Sequence, residues 1–104
     1  MTAYRVLFGP EALRQLIDID DYLANVGAPG SDFVASIVDY CDSLGTFPNR
    51  GRDRSDLLPG LRTTGYKHRV TIAYTIKADT VNIVGVFYGG QDYDSRLASS
   101  PEAT

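Results

Sequence analysis

The chain is predicted to fold as an α+β domain, with a helical hairpin on one face of a mostly antiparallel sheet. Three observations predict it. A short alternating strand opens the chain, two segments of helical period follow, and three strand-like segments fill the second half. The expected order is β-α-α-β-β-β, the last three strands forming an antiparallel meander. Its 104 residues suit a single domain, expected over 1–98, with a flexible tail over 99–104.

Ala3–Phe8 alternates, with Tyr4, Val6 and Phe8 on one side and Arg5 and Leu7 on the other. Gly9-Pro10 ends that pattern, and Pro10 with Glu11 suits the first turn of a helix. Ala12, Leu16, Ile19, Leu23 and Val26 then recur at helical spacing, with Leu13 and Ile17 expected to widen the apolar face. Gly27 and Pro29 stop this helix. Ser31 is the expected cap of a second helix, whose stripe is Val34, Ile37, Val38, Cys41 and Leu44. Gly45 and Phe47-Pro48 end it. Two helices so closely joined are expected to pack as an antiparallel hairpin.

Asn49–Pro59 is polar and reads as an exposed loop. Leu61–Tyr66 and Arg69–Lys77 read as strands, the second with Val70, Ile72, Tyr74 and Ile76 on one face. Ala78-Asp79-Thr80 is a turn. Val81–Tyr88 is almost continuously apolar, as a central strand covered on both faces would be. Gly89-Gly90 breaks it, and Asp92–Ala98 is expected to form a short helix or a last extended piece. The first strand is expected to pair with a central one of the last three.

No apolar run is long enough to span a bilayer, and the N-terminus lacks the order of a signal peptide. A single cysteine, Cys41, excludes an internal disulfide framework. The expected location is the cytoplasm. Charge is segregated. Residues 1–48 carry two basic against seven acidic residues, and residues 49–77 carry seven basic against two acidic. The overall charge of −3 opposes general nucleic-acid binding, so the basic half is read as a surface for an acidic partner.

Chemistry is sparse. One His and one Cys supply no metal set, and no cofactor is expected. Gly89-Gly90 lacks the Lys-Ser/Thr signature of a phosphate loop. Metal-independent RNA cleavage needs a base, cations and an acid, for which Arg62, His68, Arg69 and Tyr88 are the candidates. Strand alternation is expected to put Lys67 and Arg69 on one face and His68 on the other. Gln91-Asp92 and Asp94 add negative charge where a scissile phosphate would lie.

The chain resembles the RelE/ParE superfamily of type II toxins, and more closely its ParE-like branch. The resemblance runs from Tyr4 to about Leu97. It is carried by Tyr4-Arg-Val-Leu-Phe-Gly-Pro-Glu-Ala, Ser43-Leu-Gly-Thr-Phe-Pro-Asn-Arg-Gly51, Leu61-Arg-Thr-Thr-Gly-Tyr, Arg69-Val-Thr-Ile-Ala-Tyr74 and Val84-Gly-Val-Phe-Tyr-Gly-Gly-Gln-Asp92. Many ParE-like chains have His where this one has Tyr88. The resemblance implies a toxin that binds and inhibits DNA gyrase and is neutralised by a cognate antitoxin, of ribbon-helix-helix type. The chain alone is not expected to bind nucleic acid sequence-specifically. Expected contacts for antitoxin or target are Arg50, Arg52, Arg54, Arg62, Lys67, Arg69, Tyr88, Gln91 and Tyr93. The alternatives are a ribosome-dependent mRNA endonuclease of the RelE type, and a degenerate toxin that only binds its antitoxin and serves autoregulation.

Overall fold

A computed structural model describes residues 4–27 and 31–89. The expected piece at Asp92–Ala98, the tail over 99–104, and the candidates Gln91 and Tyr93 lie outside the described residues. The elements are β1 (Arg5–Phe8), α1 (Pro10–Asn25), α2 (Ser31–Ser43), β2 (Arg52–Asp53), β3 (Leu61–Tyr66), β4 (Val70–Lys77) and β5 (Thr80–Tyr88). The expected order holds, with β2 added from the segment read as a loop. The sheet runs β1-β5-β4-β3-β2. β1 lies parallel to β5, pairing Val6 with Val81 and Phe8 with Ile83, and every other pairing is antiparallel. Pairing with β1 makes β5 an internal strand. Among the described residues, no helix is long and apolar enough to cross a membrane.

Pro10 opens α1 with Glu11 in its first turn, and Gly27, at φ 78°, follows its end. Ala12, Leu16, Ile19 and Leu23 are buried as the stripe requires. Leu13 and Ile17 are not: they are 50% and 61% exposed. Each helical residue advances about 100°. A face centred on Leu16 and Ile19 therefore carries Gln15 at its buried margin and turns Ile17 to the outside. Val26 is exposed because it lies past the last helical turn. Ile37 and Cys41 from α2, and Leu44 just past its end, join α1 and the sheet residues Val70, Ile72, Tyr74, Val81, Ile83 and Val86 in the main core.

The opposite face of the sheet holds a smaller cluster of Leu58, Leu61, Ala73 and Phe87. Leu58 comes from the segment expected to be an exposed loop. Two leucines among arginines and aspartates do not announce themselves, but Leu58 is buried with Leu61, and Leu57 packs partly buried against them. β5 is thus covered on both faces, as its apolar run requires.

One irregularity in β5 sets its phase. Ala73 pairs with Gly85 and Tyr74 with Ile83, which leaves Val84 as an extra residue. Val81 and Ile83 face the helices before it, and Val86 faces them after it. Gly85 is required beside the bulge, because a Cβ there would stand 2.6 Å from the Phe87 ring. β1 pairs no further than Ile83. Beyond it the Val86 N–H donates instead to Gln15 Oε1, at 2.6 Å, from α1. A buried side-chain amide thus stands in for the missing strand.

Two outcomes follow. Gln15→Ala leaves a buried N–H without its acceptor, and should lower the unfolding free energy in urea by about 1–3 kcal/mol. Cys41 is fully buried, and burial, helped by the neighbouring Asp42 charge, pushes its thiol pKa up from 9.0 to about 12. The folded protein therefore favours the protonated thiol. This contribution is complete below about pH 9 and is lost as pH rises towards 12. Alkylation at pH 8 should run on the order of a hundredfold slower in native than in urea-unfolded protein.

Candidate functional site

The loop after α2 has little regular structure, yet side chains from the sheet hold its backbone. Tyr74 is fully buried, donates its hydroxyl to Pro48 O at 2.8 Å, and accepts from Gly51 N at 2.9 Å. Arg62, its register partner on β3, donates through Nη2 to Asn49 O at 3.1 Å and Gly51 O at 2.6 Å. A Cβ at residue 51 would lie 2.7 Å from both Thr63 O and the Tyr74 hydroxyl, so only glycine permits this approach. Arg62 Nε is buried with no partner among the described residues.

The pinned loop presents Phe47 and Arg50 outward, and Phe47 is 58% exposed. The Arg50 guanidinium sits 5.3 Å from the ring centres of both Tyr40 and Phe47, and Nη1 donates to Ser43 Oγ at 3.1 Å. Tyr40 stacks at a tilt on Tyr66, 4.7 Å between centres, and its hydroxyl is 3.0 Å from Thr64 Oγ1. The Lys67 ammonium lies 5.3 Å from the Tyr66 ring. Phe47, Arg50, Tyr40, Tyr66 and Lys67 thus form one chain of cations and rings across α2, the loop and β3. Such contacts orient a cation while leaving its charge available.

Lys67, His68 and Arg69 are not on a strand. They form the exposed β3–β4 turn, closed by Arg69 N to Tyr66 O at 3.2 Å. Lys67 and His68 have φ of 52° and 56°, as the two central residues of a type I′ turn require. The expected split of these three residues between two sheet faces is therefore wrong: without Gly or Asn in the turn, the strand pattern reads straight through it. The turn lies beside the end of β5, where Gly89 N donates to Arg69 O at 2.7 Å. Tyr88 packs its ring against Tyr22 and Phe33, each 5.9 Å away. His68, Arg69 and Tyr88 therefore gather at one end of the sheet. Arg62 lies four residues from Tyr66 along β3, roughly 13 Å at strand rise, with its guanidinium spent on loop carbonyls.

Arg52 is exposed on β2. Arg54 holds Asp56 through Nε and Nη2, both at 3.0 Å, and this keeps the Asp56 carboxyl below its usual range. Asp53 is lowered likewise, first by the Ser55 hydroxyl and then by its backbone N–H. A separate cleft of about 410 Å³ opens between α1 and the end of β5, lined by Gln15, Asp18, Ile19, Tyr22, Val86, Tyr88 and Gly89. Sequence reasoning missed Tyr40, Phe47 and Tyr66 as site residues. The available signal was the spacing Tyr40, Ser43, Phe47, which lies beside the apolar stripe of α2 and leads directly to Arg50.

The family model for the ParE toxin of the type II toxin–antitoxin system parDE matches residues 6–93. Among solved structures, the chain is similar to one from the chromosomal ParDE TA system of P. aeruginosa. The TM-score is 0.72 at 20% identity, over 84% of this chain and 97% of that one, a likeness of fold. No match arises among curated proteins.

Tyr74→Phe removes the hydroxyl that bridges Pro48 and Gly51. It should cost about 1–3 kcal/mol in denaturant unfolding. Amide exchange at Gly51 should accelerate by more than that of the β4 core.

Proposed function

The chain belongs to the ParE toxin family of type II toxin–antitoxin systems, and from that membership we propose that it acts by binding, engaging DNA gyrase in the cytoplasm until a cognate antitoxin of ribbon-helix-helix type neutralises it. The observation that carries the binding reading is the presented surface of Phe47, Arg50, Tyr40, Tyr66 and Lys67. Arg50 is seated on two rings and presented by a loop whose backbone is fixed from below, and Lys67 lies over the Tyr66 ring from the β3–β4 turn. Preorganised aromatic and arginine side chains of this kind anchor protein interfaces. Arg52 and Arg69, exposed beside it, extend the positive field.

RNA cleavage would ask Arg62 to join His68, Arg69 and Tyr88. Its bonds to Asn49 O and Gly51 O support a structural duty instead. On this reading the antitoxin would lie along α1, where Tyr22 and Val26 are exposed and Tyr22 lines the cleft at Tyr88. An amphipathic segment lying there would bury its apolar side in the cleft.

Expression of the chain without antitoxin tests the reading. Plasmid supercoiling should fall while messenger RNA stays intact, and co-expressed antitoxin should restore both supercoiling and growth. Message cleavage within codons, abolished by Arg69→Ala in a folded protein, would replace this reading with the nuclease.

A further inference from the structure

The surface at Phe47 and Arg50 has features that a fold-supporting loop does not need. Phe47 is 58% exposed although burying an aromatic ring would be favourable. It is held outward because Pro48, Asn49 and Gly51 are all tied to the sheet. Arg50 lies between Phe47 and Tyr40, so its long side chain is already ordered before any partner arrives. Among the described residues the ion pairs are Arg14 with Glu11 and Arg54 with Asp56, and neither Arg50 nor Lys67 has a carboxylate against it. A shallow pocket bounded by Thr46, Phe47, Pro48, Asn49 and Arg50 completes the patch.

We propose that this patch is the target-docking surface: Phe47 enters an apolar pocket on an acidic protein segment, and Arg50 and Lys67 pair with its carboxylates. The assignment rests on the binding reading above and adds to it where the target is held and by what chemistry. Two observations favour an acidic protein over nucleic acid. Tyr40 already lies between Arg50 and Tyr66, so its ring faces are not open for bases. The described molecule measures only 40 × 33 × 23 Å, and α1 and α2 carry Glu11, Asp18, Asp20, Asp21, Asp32, Asp39 and Asp42. A long polyanion crossing the patch would run on to these carboxylates. A short acidic segment would meet fewer of them, since charges more than about 8 Å apart are largely screened at physiological salt.

Phe47 and Arg50 lie on the loop after α2, away from the cleft at Tyr22 and Tyr88, whereas the Lys67 turn lies beside the β5 end, where Gly89 lines that cleft. Substitutions at Phe47 and Arg50 should therefore separate target binding from antitoxin binding most cleanly. Phe47→Ala, Arg50→Glu and Lys67→Glu would be compared with the wild type for growth arrest on induction, binding to purified gyrase holoenzyme, antitoxin co-purification and thermal unfolding. Lys67→Glu sits on an exposed turn and tests the far end of the patch without touching the loop. The expected result is at least a tenfold weakening of gyrase binding and loss of growth arrest, with antitoxin co-purification and thermal midpoint unchanged. The effect of Arg50→Glu should exceed that of Arg50→Ala.

Variants that arrest growth like the wild type would overturn the assignment. So would a parallel loss of antitoxin binding and stability in all three, which would make the patch structural. A wild type that binds a single-stranded oligonucleotide, with the affinity lost in Phe47→Ala, would overturn the protein partner. If the wild type leaves gyrase untouched while growth arrest still depends on Phe47, Arg50 and Lys67, the docking surface stands and the gyrase reading fails. If wild type and variants inhibit gyrase alike, the gyrase reading stands and the docking surface fails. A wild type that neither arrests growth nor binds gyrase overturns both.

Discussion

The Tyr74 hydroxyl is the interaction on which the candidate surface depends. A phenol with no solvent exposure must find partners inside, because an unpaired buried hydroxyl is costly. It finds two on one loop, the carbonyl of Pro48 and the N–H of Gly51. Arg62 stands opposite Tyr74 in the β3–β4 register and takes the carbonyls of Asn49 and Gly51. Together they do for residues 48–51 what a helix or sheet would do through its own backbone. The loop leaves this bracket already aligned with β3, so that Arg52 and Asp53 pair with Thr63 and Arg62. The edge strand β2, the outward aim of Phe47 and the seat of Arg50 all descend from the same two side chains.

A second constraint acts at the other end of the sheet. The extra residue Val84 lets Val81, Ile83 and Val86 all face the helices while Phe87 faces the smaller cluster. Without it, period-two alternation would turn Val86 away from α1. The bulge falls just past the last residue paired with β1, where the β5 edge would otherwise lack an acceptor. Gln15 supplies that acceptor, which fixes the rotation of α1 about its axis. That rotation decides which residues line the cleft. Gln15, Ile19 and Tyr22 turn towards it, and Leu13 and Ile17 turn away.

The legible parts of this fold are those with an unbroken period. The stripe of Ile37, Cys41 and Leu44, the alternation of Val70, Ile72 and Tyr74, and the turn at Ala78-Asp79 are all where the sequence puts them. The bulge at Val84 was hidden, because a nearly continuous apolar run carries no phase to interrupt. The Lys67-His68 turn was hidden for the opposite reason: neither residue is a usual source of positive φ, so nothing marks the change of direction. At the site, charge segregation marks residues 49–77 as the basic part of the chain. It could not separate Arg62, whose guanidinium is used internally, from Arg50, which is presented. That difference depends on which carbonyls lie within reach, a property of tertiary register rather than composition. Tyr40 and Tyr66 were missed because each reads as an ordinary partly buried aromatic until Arg50 is seen beside them.

The division between anchor and surface has a consequence for how such a fold acquires targets. Tyr74 and Arg62 grip the loop entirely through backbone atoms, and among residues 48–51 they require a particular side chain only at Gly51. The side chains of Phe47 and Arg50 lie outside that grip, Arg50 making its own separate bond to Ser43 Oγ. Replacing them alters what the loop offers a partner without releasing the loop. The same holds for Lys67, whose ammonium reaches back only to the adjacent Tyr66 ring. A scaffold whose loop is held by its backbone separates folding stability from recognition, so its target can change while its architecture does not. A likeness of fold therefore does not settle the target; under the docking proposal, the side chains at Phe47 and Arg50 do.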